Sequence, residues 1–161
     1  MQKKESTFTY EVYDHAEELN AEDAQLLAEA RAVTANAYAP YSHFRVGAAA
    51  KLANGQIVTG TNQENASYPA GICAERVLLS IASSLYPNVS IDTLAVSYYN
   101  ENGPSDHPIS PCGICRQSLQ EFEQRTGKTC RLILGGQEGK IYIIDQATLL
   151  LPFAFSGGEL S

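Results

Sequence analysis

The chain has 161 residues, of which 44% are hydrophobic and 18% are charged, a composition typical of one globular domain with its own core. Its formal net charge of −7 argues against nucleic acid as the main partner, because phosphate binding requires a basic surface. No segment approaches the roughly 18 consecutive apolar residues of a membrane-spanning helix, so we expect no membrane partner. Residues 1–19 lack the apolar core of a secretory signal. We therefore expect a cytoplasmic protein whose four cysteines stay reduced.

The first part of the chain predicts a helix followed by a hairpin. Residues 1–19 are polar and acidic, and we interpret them as a lead-in to the first helix. Asn20 can cap a helix over residues 21–38, with Asp23 as the acid at its third position. The Asn-Gly pair at 54–55 separates two strand-like segments and favours a tight hairpin turn.

The second part alternates helices and strands. The predicted elements are a helix over 73–86, a strand over 93–99, a helix over 111–127, strands over 130–136 and 140–145, and a short helix over 146–152. Glycine at 127 can stop the third helix, because it tolerates a left-handed backbone. This order predicts an α/β fold of three layers, in which helices cover both faces of a mixed sheet of about five strands.

Three cysteines and a glutamate have spacings that indicate a metal site. Cys73 and Glu75 are two residues apart, and such residues converge only at a helix end, so Cys73 is predicted to open the second helix. Cys112 and Cys115 are three apart at the start of the third helix and face the same way. Three thiolates can hold one tetrahedral Zn²⁺ and leave its fourth position to water, which is typical of a catalytic site.

The negative charge of three thiolates requires compensation. The N-termini of both helices carry partial positive charge and favour thiolates. Arg76 and Arg116 lie beside the cysteines in sequence, and either could hydrogen-bond a sulfur.

Other interpretations of these residues are open on spacing alone. A CxxC pair can be a redox motif, although that motif normally comes early in a thioredoxin-like fold. Cys130 as a fourth ligand would close the site and make the zinc structural; however, Cys130 begins an apolar segment, where a small buried thiol is common. Glu75 by itself is compatible with a solvated acid in a first helical turn.

Four stretches of the chain resemble, in family order, the small homotetrameric cytidine deaminases: APYSHFRVGAA, TNQENASYPAGICAER, SPCGICRQ and LLPFAF. The C-A-E and P-C-x-x-C motifs within them are the zinc signature of nucleoside and nucleobase deaminases. The resemblance covers residues 20–161, which we expect to form the catalytic domain. It is weakest over residues 1–19, which minimal family members lack.

The resemblance implies a role for each motif residue. Cys73, Cys112 and Cys115 would be the ligands of one Zn²⁺ per chain. Glu75 would carry protons during hydrolytic attack at C4 of cytosine, without binding the metal. Gln117 would support the zinc site.

The resemblance also implies the residues that bind the nucleoside. Asn62 and Glu64 share one face at the end of a strand and suit a sugar hydroxyl, and the family places them near the ribose 3′-hydroxyl. Phe44 matches an aromatic that packs on the pyrimidine, although core packing is the commoner role of a lone Phe. Ala66 and Ala74 would contact the base through their backbone.

Two further residues match family positions that reach a neighbouring subunit's site. These are Tyr68 and Phe155, so we expect a homotetramer with pockets shared between subunits.

His107 lies in the segment SDHPIS, just before PCGIC. Because three thiolates already occupy the protein side of the metal, we expect His107 to be an ordinary loop residue.

The prediction is therefore a zinc enzyme of pyrimidine salvage that converts cytidine and 2′-deoxycytidine to uridine and 2′-deoxyuridine with release of ammonia. A blasticidin S deaminase shares the zinc chemistry, but TNQEN and LLPFAF favour the nucleoside. A polynucleotide-editing deaminase is opposed by the acidic charge. A non-catalytic, zinc-stabilised binding module would use Cys130, rather than water, as the fourth ligand.

Overall fold

The computed structural model describes residues 1–160, which form one six-stranded sheet with three α-helices. The strands are β1 (Glu11–Tyr13), β2 (Phe44–Leu52), β3 (Ile57–Thr61), β4 (Ile91–Asn100), β5 (Arg131–Gly135) and β6 (Ile141–Ile144), and the helices are α1 (Ala21–Val33), α2 (Ala74–Leu85) and α3 (Gly113–Thr126). Their order across the sheet is β1-β6-β5-β4-β2-β3. β4 and β5 run parallel, whereas the other neighbouring strands are antiparallel. The mixed α/β architecture confirms the predicted class, with one strand more than the five expected.

Helices cover both faces of the sheet, because alternate strand residues point to opposite sides. Ala49 and Ala95 face α1 in one apolar cluster. Ala48 and Val96, their neighbours in sequence, face α2 and α3 in the other. The sheet is therefore the middle of three layers.

Helix α1 begins as its sequence predicts. Asn20 is the N-cap, and its side-chain oxygen accepts a hydrogen bond from the Asp23 amide at 3.0 Å. The Asp23 carboxylate also receives two hydrogen bonds from Arg131 of β5, at 2.7 and 2.8 Å. The first turn of α1 is thus fixed to the sheet by a largely buried ion pair.

Three local predictions were wrong in extent. Helix α1 ends at Val33 and not at residue 38, because the chain tightens into a 3₁₀ turn, in which the Thr34 hydroxyl donates to the Arg31 carbonyl at 2.7 Å. The expected final helix is only a 3₁₀ turn, Ala147–Leu150, because four residues are too few for α-helical hydrogen bonds to repeat. The hairpin turn spans residues 53–56, with Gly55 in the left-handed region, and is longer than a two-residue turn.

The N-terminal extension supplies the sixth strand, which the polar sequence of residues 1–19 did not predict. β1 pairs with β6, with Val12 opposite Tyr142. Asp14 forms an ion pair with Lys140 at 2.7 Å. The division of the chain at residue 20 stays a prediction, but the extension packs on the edge of the sheet. Within the described residues, no helix is both long and apolar enough to cross a membrane.

Candidate metal centre and substrate pocket

Three cysteines meet where α2 and α3 begin. Cys73 is the N-cap of α2 and Cys112 is the N-cap of α3, as the spacings predict, and Cys115 lies in the first turn of α3. The Sγ atoms of Cys73 and Cys112 are 3.7 Å apart, and those of Cys112 and Cys115 are 3.5 Å apart. All three lie within 4.8 Å of one another. This separation allows one ion to contact all three sulfurs.

A glycine of the neighbouring strand fixes the position of α2. A Cβ atom built on Gly60 of β3 would lie 2.6 Å from the Ala74 carbonyl oxygen and 2.6 Å from the Leu78 amide nitrogen. These distances are shorter than van der Waals contact, so only glycine allows this approach of helix to strand. Because Ala74 follows Cys73 directly, the same contact sets the height of Cys73 above the sheet.

The thiols and the glutamate have shifted proton affinities. The interaction with Cys115 lowers the pKa of Cys73 to about 6. The same interaction, together with burial, raises the pKa of Cys115. Burial raises the pKa of Glu75, which is 5% exposed. A carboxyl group with a raised pKa can both accept and donate a proton near neutral pH.

The donor set fits zinc. Three sulfur ligands at two helix N-termini suit this metal, and the positive helix ends stabilise thiolates. Cys130 is not a member of the cluster: it lies in the apolar core, and its amide donates to Glu123 at 2.7 Å. The protein therefore presents three sulfurs and not a closed set of four.

A cavity of about 560 Å³ opens onto the cysteines. Its lining includes seven of the predicted residues: Asn62, Glu64, Tyr68, Cys73, Ala74, Glu75 and Cys112. The lining residues that the sequence analysis missed include Tyr41, Ser42, Val46, Gln63, Ile72, Ile109 and Ser110. Ile72, Ile109 and Ser110 stand within a few residues of a cysteine ligand, and this proximity was the available signal for them.

The two predicted sugar-binding residues also hold the protein backbone. The Asn62 amide donates to the Phe44 carbonyl at 2.9 Å and accepts from the Val46 amide at 2.7 Å. One oxygen of Glu64 accepts hydrogen bonds from the backbone amides of Tyr41 and Ser42, at 2.9 and 3.3 Å. Both side chains line the cavity while they fix its wall.

Phe44, Ala66 and Phe155 do not line the cavity of a single chain. The Phe44 ring stacks on Tyr98, with ring centroids 4.8 Å apart. Ala66 is exposed, and Phe155 is 59% exposed on the C-terminal segment. Tyr68 lines the cavity but is 77% exposed.

The residues predicted to support the metal have different contacts. Arg116 donates to the carbonyls of Pro111 and Leu150, at 2.8 and 3.0 Å, instead of to a sulfur. Gln117 donates to the Phe155 carbonyl at 2.8 Å, which ties the C-terminal segment to α3. Arg76 lowers the pKa of Cys73 electrostatically, as a smaller contribution than that of the other thiols.

Known proteins resemble the chain over most of its length. Residues 20–129 match the cytidine and deoxycytidylate deaminase zinc-binding region. A cytidine deaminase of Halalkalibacterium halodurans is 36% identical over 136 residues, which cover 84% of this chain and 96% of the relative. One of Sporosarcina psychrophila is 34% identical over 139 residues, covering 85% and 93%.

Solved structures give the same result. The crystal structure of cytidine deaminase from Burkholderia pseudomallei superimposes with a TM-score of 0.70 at 37% identity, over 81% of this chain and 97% of the other. The enzyme from Mycobacterium tuberculosis gives a TM-score of 0.63 at 31% identity, over 82% and 95%. The resemblance that was drawn from the motifs is confirmed.

Proposed function

Because the chain belongs to the cytidine and deoxycytidylate deaminase family, we propose that it hydrolyses cytidine and 2′-deoxycytidine to uridine and 2′-deoxyuridine, with release of ammonia. This proposal rests mainly on Glu75, a buried carboxyl with a raised pKa that lines the same cavity as the cysteine cluster. A proton-transfer group therefore stands beside a metal-binding group in a cavity that a nucleoside can enter.

The chemistry divides between the metal and the protein. When held by Cys73, Cys112 and Cys115, zinc supplies the Lewis acidity that makes water a nucleophile near neutral pH. Glu75 accepts a proton from the attacking water and donates one to ring N3 of cytosine. It then takes the remaining proton of the hydroxyl now bonded to C4 and delivers it to the departing amine, which leaves as ammonia. The low exposure of Glu75 keeps bulk water from competing for these protons.

The remaining cavity residues bind and orient the nucleoside. Asn62 and Glu64 are proposed to meet the ribose 3′-hydroxyl, because each lines the cavity and keeps hydrogen-bonding capacity beyond its backbone contacts. Ala74 is proposed to offer backbone groups to the base, and Ala66 to act likewise at the rim. Phe44 is proposed to contribute its ring to the pyrimidine side of the pocket.

We further propose a cytoplasmic homotetramer in which neighbouring subunits complete each pocket. Tyr68 at 77% and Phe155 at 59% exposure leave aromatic surface that a neighbouring subunit can cover. Mixing inactive Glu75→Gln subunits with inactive Phe155→Ala subunits, by joint refolding or coexpression, should restore partial activity if pockets are shared. Light scattering of the native protein should give the mass of four chains. A monomeric mass, or no restored activity, would exclude shared pockets.

The reaction is tested with free cytidine, whose conversion to uridine changes its ultraviolet absorbance. The zinc-loaded protein should convert it, and Glu75→Gln should retain one zinc per chain while losing at least about 100-fold in kcat. Glu29→Gln is the matched control, because it makes the same substitution at an exposed position of α1, on the opposite face of the sheet from α2. A zinc-loaded protein that leaves cytidine unchanged would refute the proposed reaction. Full activity in Glu75→Gln would remove Glu75 from its role.

A further inference from the structure

Three aromatic rings connect β2, β4 and the loop that leads to Cys112. Tyr98 of β4 is 1% exposed. The Phe44 ring stacks on it, with centroids 4.8 Å apart and an interplanar angle of 16°. The His107 ring meets Tyr98 edge-on, with centroids 5.7 Å apart, and His107 Nδ1 lies 3.1 Å from the Tyr98 hydroxyl. We define Phe44, Tyr98 and His107 as the ring stack.

The ring stack is on the pocket side of the sheet. Phe44 and Val46 point to the same face of β2, because they are two residues apart, and Val46 lines the cavity. Tyr98 and Val96 likewise share a face of β4, and Val96 packs in the cluster formed with α2 and α3. The Phe44 carbonyl is also held by Asn62, a cavity residue. Displacement of the stack would therefore move the wall of the pocket.

The loop between β4 and α3 is anchored at both ends. A Cβ on Gly136 would overlap the Ser105 carbonyl, so the loop lies directly on the turn between β5 and β6. The Ser105 hydroxyl accepts from the Asn100 amide at 2.9 Å. At the other end, Arg116 holds the Pro111 carbonyl, next to Cys112.

His107 is the side chain that ties the middle of this loop to the sheet. Ile109 and Ser110 line the cavity. Among residues 107–110, all of which the structure describes, His107 is the one with side-chain hydrogen bonds, to Tyr98 and Asp106. Its Nδ1 faces both oxygens at 3.1 Å. An ionised carboxylate can only accept, so Nδ1 carries the hydrogen and donates.

We propose that Tyr98 and His107 are positioning residues for substrate binding. This inference rests on the proposed function, since it concerns the same pocket. Tyr98 backs the Phe44 ring, and the His107–Tyr98 hydrogen bond holds Ile109 and Ser110 at the pocket wall. The nucleoside then meets a preformed surface and does not have to order the loop when it binds.

The test compares three variants with a distant control. Tyr98→Phe removes the hydroxyl and keeps the ring, and His107→Ala removes the donor. Both should raise KM for cytidine about 3- to 10-fold, the loss expected for one hydrogen bond, with kcat and zinc content unchanged. His107→Asn places an N–H near the position of Nδ1 and should restore the parental KM. His15→Ala, on the N-terminal extension, should leave KM unchanged.

Calorimetric binding of uridine gives a second readout that needs no turnover. The dissociation constant for uridine should rise with KM in Tyr98→Phe and His107→Ala and recover in His107→Asn. Parental values in all variants would overturn the positioning role, as would a lower unfolding temperature with no change in KM. If uridine binds with this pattern but cytidine is not converted, the positioning role stands and the proposed reaction fails. If neither nucleoside binds, both fail.

Discussion

The contact between β3 and α2 makes Gly60→Ala a sharp test of how the site is built. The added Cβ would lie 2.6 Å from both the Ala74 carbonyl oxygen and the Leu78 amide nitrogen. Ordinary contact begins near 3.4 Å, so the start of α2 must move away by about 0.8 Å. Overpacking of this kind costs about 1–3 kcal/mol of stability. Because the shift carries Cys73 and Glu75, a misplacement near 1 Å should lower kcat/KM for cytidine by about 10- to 100-fold.

The assay for Gly60→Ala is urea unfolding together with kcat/KM at full zinc loading. Gly113→Ala is the matched control: it makes the same change beside Cys112, where a Cβ would meet nothing within 4 Å. That control should keep its activity and should not lose stability, since alanine favours the helix. If Gly60→Ala unfolds within about 0.5 kcal/mol of the parent and keeps its kcat/KM, then strand–helix contact does not set the position of α2.

Two further predictions concern the frame around the site. The hydrogen bonds from Arg131 lower the pKa of Asp23 from its ordinary value of 3.8, so this pair stabilises the fold above pH 3.8 and loses that contribution as pH falls through the lowered pKa. Asp23→Asn should cost about 1–3 kcal/mol at pH 7 in urea unfolding and weaken the acid dependence; an unchanged pH–stability curve would contradict this role. Deletion of residues 1–19 should lower the free energy of unfolding by about 2 kcal/mol, because the deletion removes the buried side chain of Leu19 from the core. The value of kcat/KM for cytidine should stay within about twofold of the parent, since β1 lies at the far edge of the sheet from β3. Loss of activity in a folded deletion variant would instead assign the extension a part in the site.

The sequence predicted those parts of the fold that depend on local patterns. Asn20 before an alanine- and leucine-rich segment gave the start of α1, and Gly127 gave the end of α3, where its φ of 66° requires a left-handed backbone. β1 gave no signal, because a three-residue edge strand buries too little of its surface to require an apolar pattern. Its pairing with β6 depends on residues about 130 positions away.

The same distinction applies to the site. The convergence of Cys73, Cys112 and Cys115 follows from two helix starts, which are local features, and was predictable. The stacking of Phe44 on Tyr98 was not, because it joins two strands whose register only the folded sheet defines. The contact of the His107 side chain with Tyr98 likewise joins a loop to a strand, so the sequence of the loop alone did not predict it.

Arg76 and Arg116 have different roles near the cysteines: Arg76 contributes positive charge, and Arg116 supports the backbone. The Arg116 guanidinium donates hydrogen bonds to the carbonyls of Pro111 and Leu150, and thereby joins the segment before Cys112 to the C-terminal segment. Arg76 contributes positive charge that lowers the pKa of Cys73. Positive charge near Cys73 therefore comes from the N-terminus of α2 and from Arg76, whereas Arg116 holds the backbone that presents Cys112. Both arginines directly follow motif residues in the sequence. Substitution of Arg116 would nevertheless affect the positions of the cysteines more than the charge around them.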